Sequence, residues 1–221
     1  MVKACMFDLD GTLCNTLNSI ADFANTALRT YGLKEHSPEE YRYFVGNGRD
    51  KLIERMIIAS TGSFSQDLFD KVGTKYDRLY GENPLNLVIP YDGIPEMLSW
   101  LREHNIKTAV ISNKPDDMTR LVVAGILGND KFDIVRGSLP EFPKKPDPTS
   151  PLDILSKLNV KPEECLYIGD SGVDMQTGTN ANMKTIGCSW GFRGAEELRE
   201  NGATYIVNSA SEIIDIVVSN S

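Results

Sequence analysis

A chain of 221 residues, 41% hydrophobic and 24% charged, has the balance of an ordinary globular protein and the length for one core domain with a smaller insertion. Its 31 acids against 23 bases leave a net charge of −8, which argues against nucleic acid or an anionic membrane as partner, and Lys144-Lys145 is the only adjacent basic pair. No apolar run approaches the roughly 18 residues of a membrane span, the N-terminus lacks a secretory layout, and the cysteines form no Cys-x-x-Cys pair, so reduced thiols and a cytoplasmic location are expected.

Residues 4–7 form a short apolar run that meets Asp8-Leu9-Asp10-Gly11-Thr12. The run suits a buried strand, and open α/β sheets bind ligands just beyond the carboxyl ends of their strands. Gly11 permits a turn that a residue with a Cβ resists, which keeps Asp10 near Asp8. Two carboxylates this close repel unless a cation lies between them or one keeps its proton. Both outcomes serve chemistry: Mg²⁺ held by oxygen ligands would neutralise Asp8 and leave it a nucleophile, and Asp10 could act as acid and then base. Taken alone, Asp-x-Asp-Gly also suits a plain turn.

Helical spacing then takes over. Leu17, Ile20, Ala21, Ala24, Ala27 and Leu28 mark one face of a helix that ends near Gly32. Ser37-Pro38-Glu39-Glu40 starts a second, with an N-cap serine, Pro at the first helical position and acids in the first turn. A third begins near Asp50, and a fourth covers about 65–80. This all-helical stretch between strand-bearing segments predicts an inserted domain over 15–82, with 1–14 and 83–221 forming the core. From Tyr91 the pattern alternates. A helix over 94–104 precedes a strand at 108–111 ending in Ser112-Asn113, and a helix over 115–124 precedes a strand at 132–135. A helix over 150–158 leads to a strand at 165–168 ending in Gly169-Asp170, and a helix to Ala181 leads to a strand at 184–187. One more pair follows, at 204–207 and 210–217. Such alternation implies a parallel sheet covered on both faces, an α/β fold.

In a parallel sheet the strand ends share one edge, so Asp8, Ser112, Asn113 and Asp170 should converge. Ser112 offers a hydroxyl, and the N–H groups of Asn113 and Lys114 are placed at the start of the following helix, where anions are favoured, although Ser-Asn-Lys-Pro also reads as a plain helix entry. Lys145 is flanked by Pro146 and Pro148, which restrict its direction. Asp170 and Asp174 suit a second carboxylate pair for a hard cation, or equally a capped helix start.

Taken together, Asp8-Leu9-Asp10-Gly11-Thr12, Ser112-Asn113-Lys114, Lys145-Pro146-Asp147-Pro148 and Gly169-Asp170-Ser171-Gly172-Val173-Asp174, in that order, resemble the four motifs of the haloacid dehalogenase-like hydrolases. The resemblance spans essentially the whole chain. It implies a doubly wound, Rossmann-like core with an inserted helical cap, Asp8 as the nucleophile that forms an aspartyl-phosphate, and Asp10 as the acid and base. It further implies that Ser112 binds the phosphoryl group and that Lys145 neutralises it. Asp8, Asp170 and the Asp10 carbonyl would hold Mg²⁺, with Asp174 as ligand or close neighbour. Thr12 and Asn113 would lie against the substrate. Within the family, Phe44-Val45-Gly46-Asn47-Gly48-Arg49 resembles the cap loop of phosphoglycolate phosphatases, and Trp190-Gly191-Phe192-Arg193 resembles a later signature of theirs. Gly46, Asn47, Gly48 and Arg49 are therefore candidate substrate contacts, with Arg49 or backbone N–H groups open to a second anionic group, though Gly-Asn-Gly is also common turn chemistry. Asn15 stands where relatives often carry Asp. The expected activity is hydrolysis of a small phosphate monoester, with 2-phosphoglycolate as first candidate. A β-phosphoglucomutase-like mutase and a phosphosugar or pyrophosphate hydrolase are the alternatives, and the chain is expected as a monomer or homodimer.

Overall fold

The computed structural model describes residues 1–220. Its elements run in chain order as follows. Strand β1 (Ala4–Phe7) is followed by the two-residue β2 (Cys14–Asn15) and by helices α1 (Leu17–Thr30), α2 (Pro38–Phe44), α3 (Arg49–Thr61) and α4 (Gln66–Glu82). The short β3 (Ile89–Pro90), α5 (Ile94–Glu103), β4 (Lys107–Pro115), α6 (Asp116–Val122) and β5 (Ile134–Ser138) come next. Then follow α7 (Thr149–Leu158), β6 (Cys165–Gly169), α8 (Gly172–Asn180), β7 (Lys184–Cys188), α9 (Ala195–Glu200), β8 (Tyr205–Val207) and α10 (Ala210–Ser219).

Six strands form one parallel sheet in the order β5-β4-β1-β6-β7-β8. Alternation of side chains along a strand sends successive residues to opposite faces. Cys5 and Phe7 accordingly join Val110, Ile168 and the α5 and α10 residues Leu98, Leu101 and Ile213 on one face, while Ala4 and Met6 meet Ile111, Tyr167 and the α7 residues Ile154 and Leu155 on the other. β1 is central and wholly buried because both faces are covered. After β1 the chain winds to one side through β4 and β5, and after β6 to the other through β7 and β8. The reversal falls between β1 and β6, the place where an open α/β sheet leaves a crevice at its carboxyl edge.

Helices α1 to α4 have a core of their own, built from Phe23, Leu28, Tyr41, Ile53, Met56, Val72 and Tyr76, and Phe192 from the sheet-bearing part plugs into it. The chain leaves for this block through β2 and returns through β3, an antiparallel two-strand stem. Among the described residues no helix is long and apolar enough to cross a membrane.

Several boundaries differ from those read in the sequence. β4 runs on to Pro115, so Asn113 and Lys114 belong to a strand and the helix opens only at Asp116. Polar side chains at 112–114 masked the strand, which survives because all three are buried at its end. β5 begins two residues later than the expected 132, and α9 and the stem strands are additional; all are too short to show a period.

Candidate active site

Asp8 follows β1, and its N–H donates to Ile168 O of β6 at 2.9 Å, so the strand pairing carries it to the crevice beside Asp170. Gly11 has φ +89°, a left-handed turn, and a Cβ there would land on the Asp170 carboxylate. Gly191 is restricted likewise, since a side chain would strike Asp170 and the Gly11 carbonyl. Two glycines thus let two loops close over one carboxylate.

Asp8, Asp170 and Asp174 are buried, with a carboxylate oxygen of each within 4.8 Å of the others. Lys145 Nζ, itself buried, lies 2.9 Å from Asp8 Oδ1 and donates to Asp174 Oδ1 at 2.7 Å. Asp170 accepts from Thr12 Oγ1 at 3.1 Å and from Phe192 N–H at 2.7 Å. Ser171 caps α8, and its N–H and hydroxyl both donate to Asp174 Oδ2. Burial, reinforced by the Asp174 charge and only partly offset by Lys145, pushes the Asp8 carboxyl up to about 7. Burial and the charges of Asp174 and Asp8 raise Asp170 well above the usual carboxylate range. Burial alone would lower Lys145, but Asp174 and Asp8 override it and hold the ammonium charged. Three hard oxygen donors with one lysine between them are short of positive charge, and that donor set fits Mg²⁺.

Above this floor a cavity of about 270 Å³ separates the sheet edge from the helical block. Asp8, Asp10, Ser112, Asn113 and Lys145 line it from below, and Gly46, Gly48 and Arg49 from above. The Leu9 N–H fixes Asp8 Oδ1 at 2.7 Å, while Oδ2 has no hydrogen-bond partner among the described residues. Ser112 Oγ accepts the Lys114 N–H at 3.2 Å, which leaves its own proton to donate.

Some candidates sit elsewhere than the sequence suggested. Thr12 does not line the cavity; its hydroxyl is spent on Asp170. Asn47 is also outside, its Oδ1 held by Arg55 Nη2 at 2.8 Å, and Arg55 Nη1 further donates to Tyr43 O and Phe44 O. Asn113 reaches the cavity with its amide already engaged: Oδ1 accepts the Lys145 N–H at 2.9 Å, and Nδ2 donates to Gly46 O at 3.2 Å and Lys145 O at 3.3 Å. Arg49 is brought to the wall, yet Asp77 binds it bidentately at 3.0 and 2.8 Å and Asp50 takes Nη1 at 3.0 Å. Asp170 and Asp174 lie beneath Asp8 rather than on the cavity surface.

The side chains of Lys114, Asp77 and Tyr80 were not among the candidates, and all three line the cavity. Lys114 Nζ donates to Asp10 Oδ1 at 2.6 Å and lies 5.2 Å from the centre of the Tyr80 ring, joining the sheet edge to α4. Burial would lower this ammonium too, but Asp10 overrides it and keeps it charged. The place of Lys114 beside Ser112 and Asn113 at the end of β4, on the sheet edge that also carries Asp10, was the available signal. Trp190 Nε1 donates to Thr12 O at 3.1 Å and Arg42 Nη2 to Gly191 O at 2.9 Å, so the segment 190–193 braces the first motif and ties it to α2.

This geometry has close relatives. The profile described as Haloacid dehalogenase-like hydrolase matches residues 5–188. A phosphoglycolate phosphatase of Psychrobacter arcticus is 30% identical over 219 residues, covering 96% of this chain and 94% of its own, and one of Aquifex aeolicus is 30% identical over 86% of each. A crystal structure of a predicted phosphoglycolate phosphatase from Haemophilus somnus superposes with a TM-score of 0.90 at 27% identity, covering 97% of both chains. With the strand-end carboxylates, the lysine between them and the helical block overhead, the chain belongs to the haloacid dehalogenase-like hydrolase family.

Proposed function

We propose that this phosphoric monoester hydrolase uses Asp8 to take the phosphoryl group from a small phosphate ester and water to release it, with Mg²⁺ as cofactor. Asp8 Oδ2 attacks phosphorus, the bond to the ester oxygen breaks, and Asp10 delivers the proton to that oxygen. Asp10 then takes a proton from the water that attacks the aspartyl-phosphate, freeing phosphate and Asp8. Lys114 holds Oδ1 of Asp10, leaving Oδ2 to move the proton. Ser112 and Lys145 bind the non-bridging oxygens, where phosphoryl transfer needs positioning and charge neutralisation above all. Asp8, Asp170 and the Asp10 carbonyl, with Asp174 beside them, would hold Mg²⁺, which would neutralise these acids and draw charge from the phosphoryl group. Residues 15–82 act as a cap that excludes water, and 1–14 with 83–221 as the core.

The observation that carries this reading is that Asp8 lines the cavity and has one carboxylate oxygen without a hydrogen-bond partner among the described residues, backed by a buried acid cluster and by Lys145 at 2.9 Å. 2-Phosphoglycolate enters as reference ester from the names of the relatives. In a panel of small esters with Mg²⁺, Asp8→Asn should stay folded by circular dichroism and lose turnover to background. Asp10→Asn should lose about 10²- to 10⁴-fold. Near-normal Mg²⁺-dependent hydrolysis by Asp8→Asn would overturn the nucleophile.

A further inference from the structure

The leaving group must lie in the cavity over Asp8. The cavity wall is largely apolar, from Ile20, Val45, Leu52 and Met118, with the Tyr80 ring alongside. Its charged groups do not favour an anion. Arg49 is the cation of the helical block there, and the Asp77 carboxylate fills its fork in the bidentate geometry that a substrate carboxylate would use. Asp50 takes a third guanidinium contact, at Nη1, and, in the first turn of α3, also offsets the positive end of that helix. Lys114 is committed to Asp10, and Asp117 adds another acid to the lining. A carboxylate entering here would displace Asp77 from Arg49 to bind in its place, with no gain in ion pairing. A hydroxyl can instead donate to Asp77 or Asp117 while its carbon skeleton lies on the apolar wall.

Resting on the hydrolase reading above, we propose that the favoured substrates are phosphate monoesters whose leaving group is an uncharged, hydroxyl-bearing carbon skeleton, and that Asp77 is the residue setting this preference. Discrimination comes from a repulsive element as much as from an attractive one.

Matched pairs that differ only by a carboxylate in place of a hydroxymethyl group test this directly: 2-phosphoglycolate against 2-hydroxyethyl phosphate, and 3-phosphoglycerate against glycerol 3-phosphate. At saturating Mg²⁺ the uncharged member of each pair should have the higher kcat/KM by about tenfold or more, since juxtaposed like charges suppress the wrong partner. Asp77→Asn, on a half-exposed surface side chain of α4, should shrink that ratio at least about fivefold by lowering KM for the carboxylate member. A merely structural Asp77 would move both members together and leave the ratio unchanged, which would overturn the proposal. A wild-type preference for the carboxylate members, with turnover still lost in Asp8→Asn, would overturn it while leaving the hydrolase reading intact. Turnover of the panel that survives Asp8→Asn would strike the hydrolase reading instead.

Discussion

Asp8 and Asp10 stand one residue apart and meet different partners. Asp8 is pressed against two other buried carboxylates and Lys145, whereas Asp10 faces the cavity with Lys114 on one oxygen. Separate surroundings allow two carboxyls to take two chemical roles. Asn113 shows the same logic among neutral groups. Its amide satisfies both backbone polar groups of Lys145 and reaches Gly46 across the cavity, so it positions the lysine and the overlying loop. Asn113→Ala leaves the buried Lys145 N–H unpaired, which should cost about 1–3 kcal/mol in denaturant melts and lower kcat/KM. Asn113→Asp keeps an acceptor for that N–H but loses the donor to both Gly46 O and Lys145 O, so it too should raise KM. Unchanged stability in Asn113→Ala would show that the Lys145 bond is not what Asn113 supplies.

At the scale of elements, the helical block depends on well-made termini. Ser37 accepts the Glu40 N–H at 3.4 Å, and Glu40 Oε2 accepts the Ser37 N–H at 2.9 Å, a reciprocal cap at the start of α2. Glu40 also meets His36 Nδ1 at 3.0 Å, and His36 Nε2 reaches Ser60 of α3 at 2.8 Å, linking the two helices. Ser37→Ala should cost about 1 kcal/mol. The Ser37 backbone N–H, then the His36 and Ser37 side chains, hold the Glu40 carboxyl down at about 2. A depressed folded value means that Glu40 contributes stability above its ordinary value near 4.5, and that this is lost as pH falls toward 2. Wild type should therefore melt above Glu40→Gln at pH 6, with the gap closing between pH 4.5 and 2. A gap that is constant across that range would refute the charge-linked part of the cap. The same stretch was legible from Ser37-Pro38-Glu39-Glu40, because capping is a local matter of side chain to neighbouring backbone. β4 was not, because only burial at the sheet edge keeps Ser112, Asn113 and Lys114 in a strand.

For the whole molecule, the reversal of winding between β1 and β6 puts the ends of two buried strands side by side, and acids occupy both. Their mutual repulsion is a standing cost of the site in the absence of a cation. Mg²⁺ at one hundred times its Kd should stabilise the protein by about 2.7 kcal/mol, which for a chain of this size raises Tm by roughly 5–10 °C. Chelation should reverse the rise, and Asp170→Asn should abolish most of it. An equal rise in that variant would place the ion elsewhere. The helical block is tied to this edge by Arg42 to Gly191, Asn113 to Gly46 and Lys114 under Tyr80, so occupancy of the crevice and the position of the block are mechanically linked.

What the sequence by itself determined was the alternation of strands and helices, the helical interruption, and the set of polar residues at strand ends. All of these follow from periods of 2 and 3.6 and from local turn and cap chemistry, which operate over a few residues. Only the tertiary structure decided how those groups are used. Thr12 and Asn113 serve Asp170 and Lys145, Lys114 holds Asp10, and Asp77 occupies the fork of Arg49. Those pairings join residues 28 to 158 positions apart. Distance along the chain carries no record of them, because they arise when separate strands and helices are packed against one another and each buried polar group must find a partner.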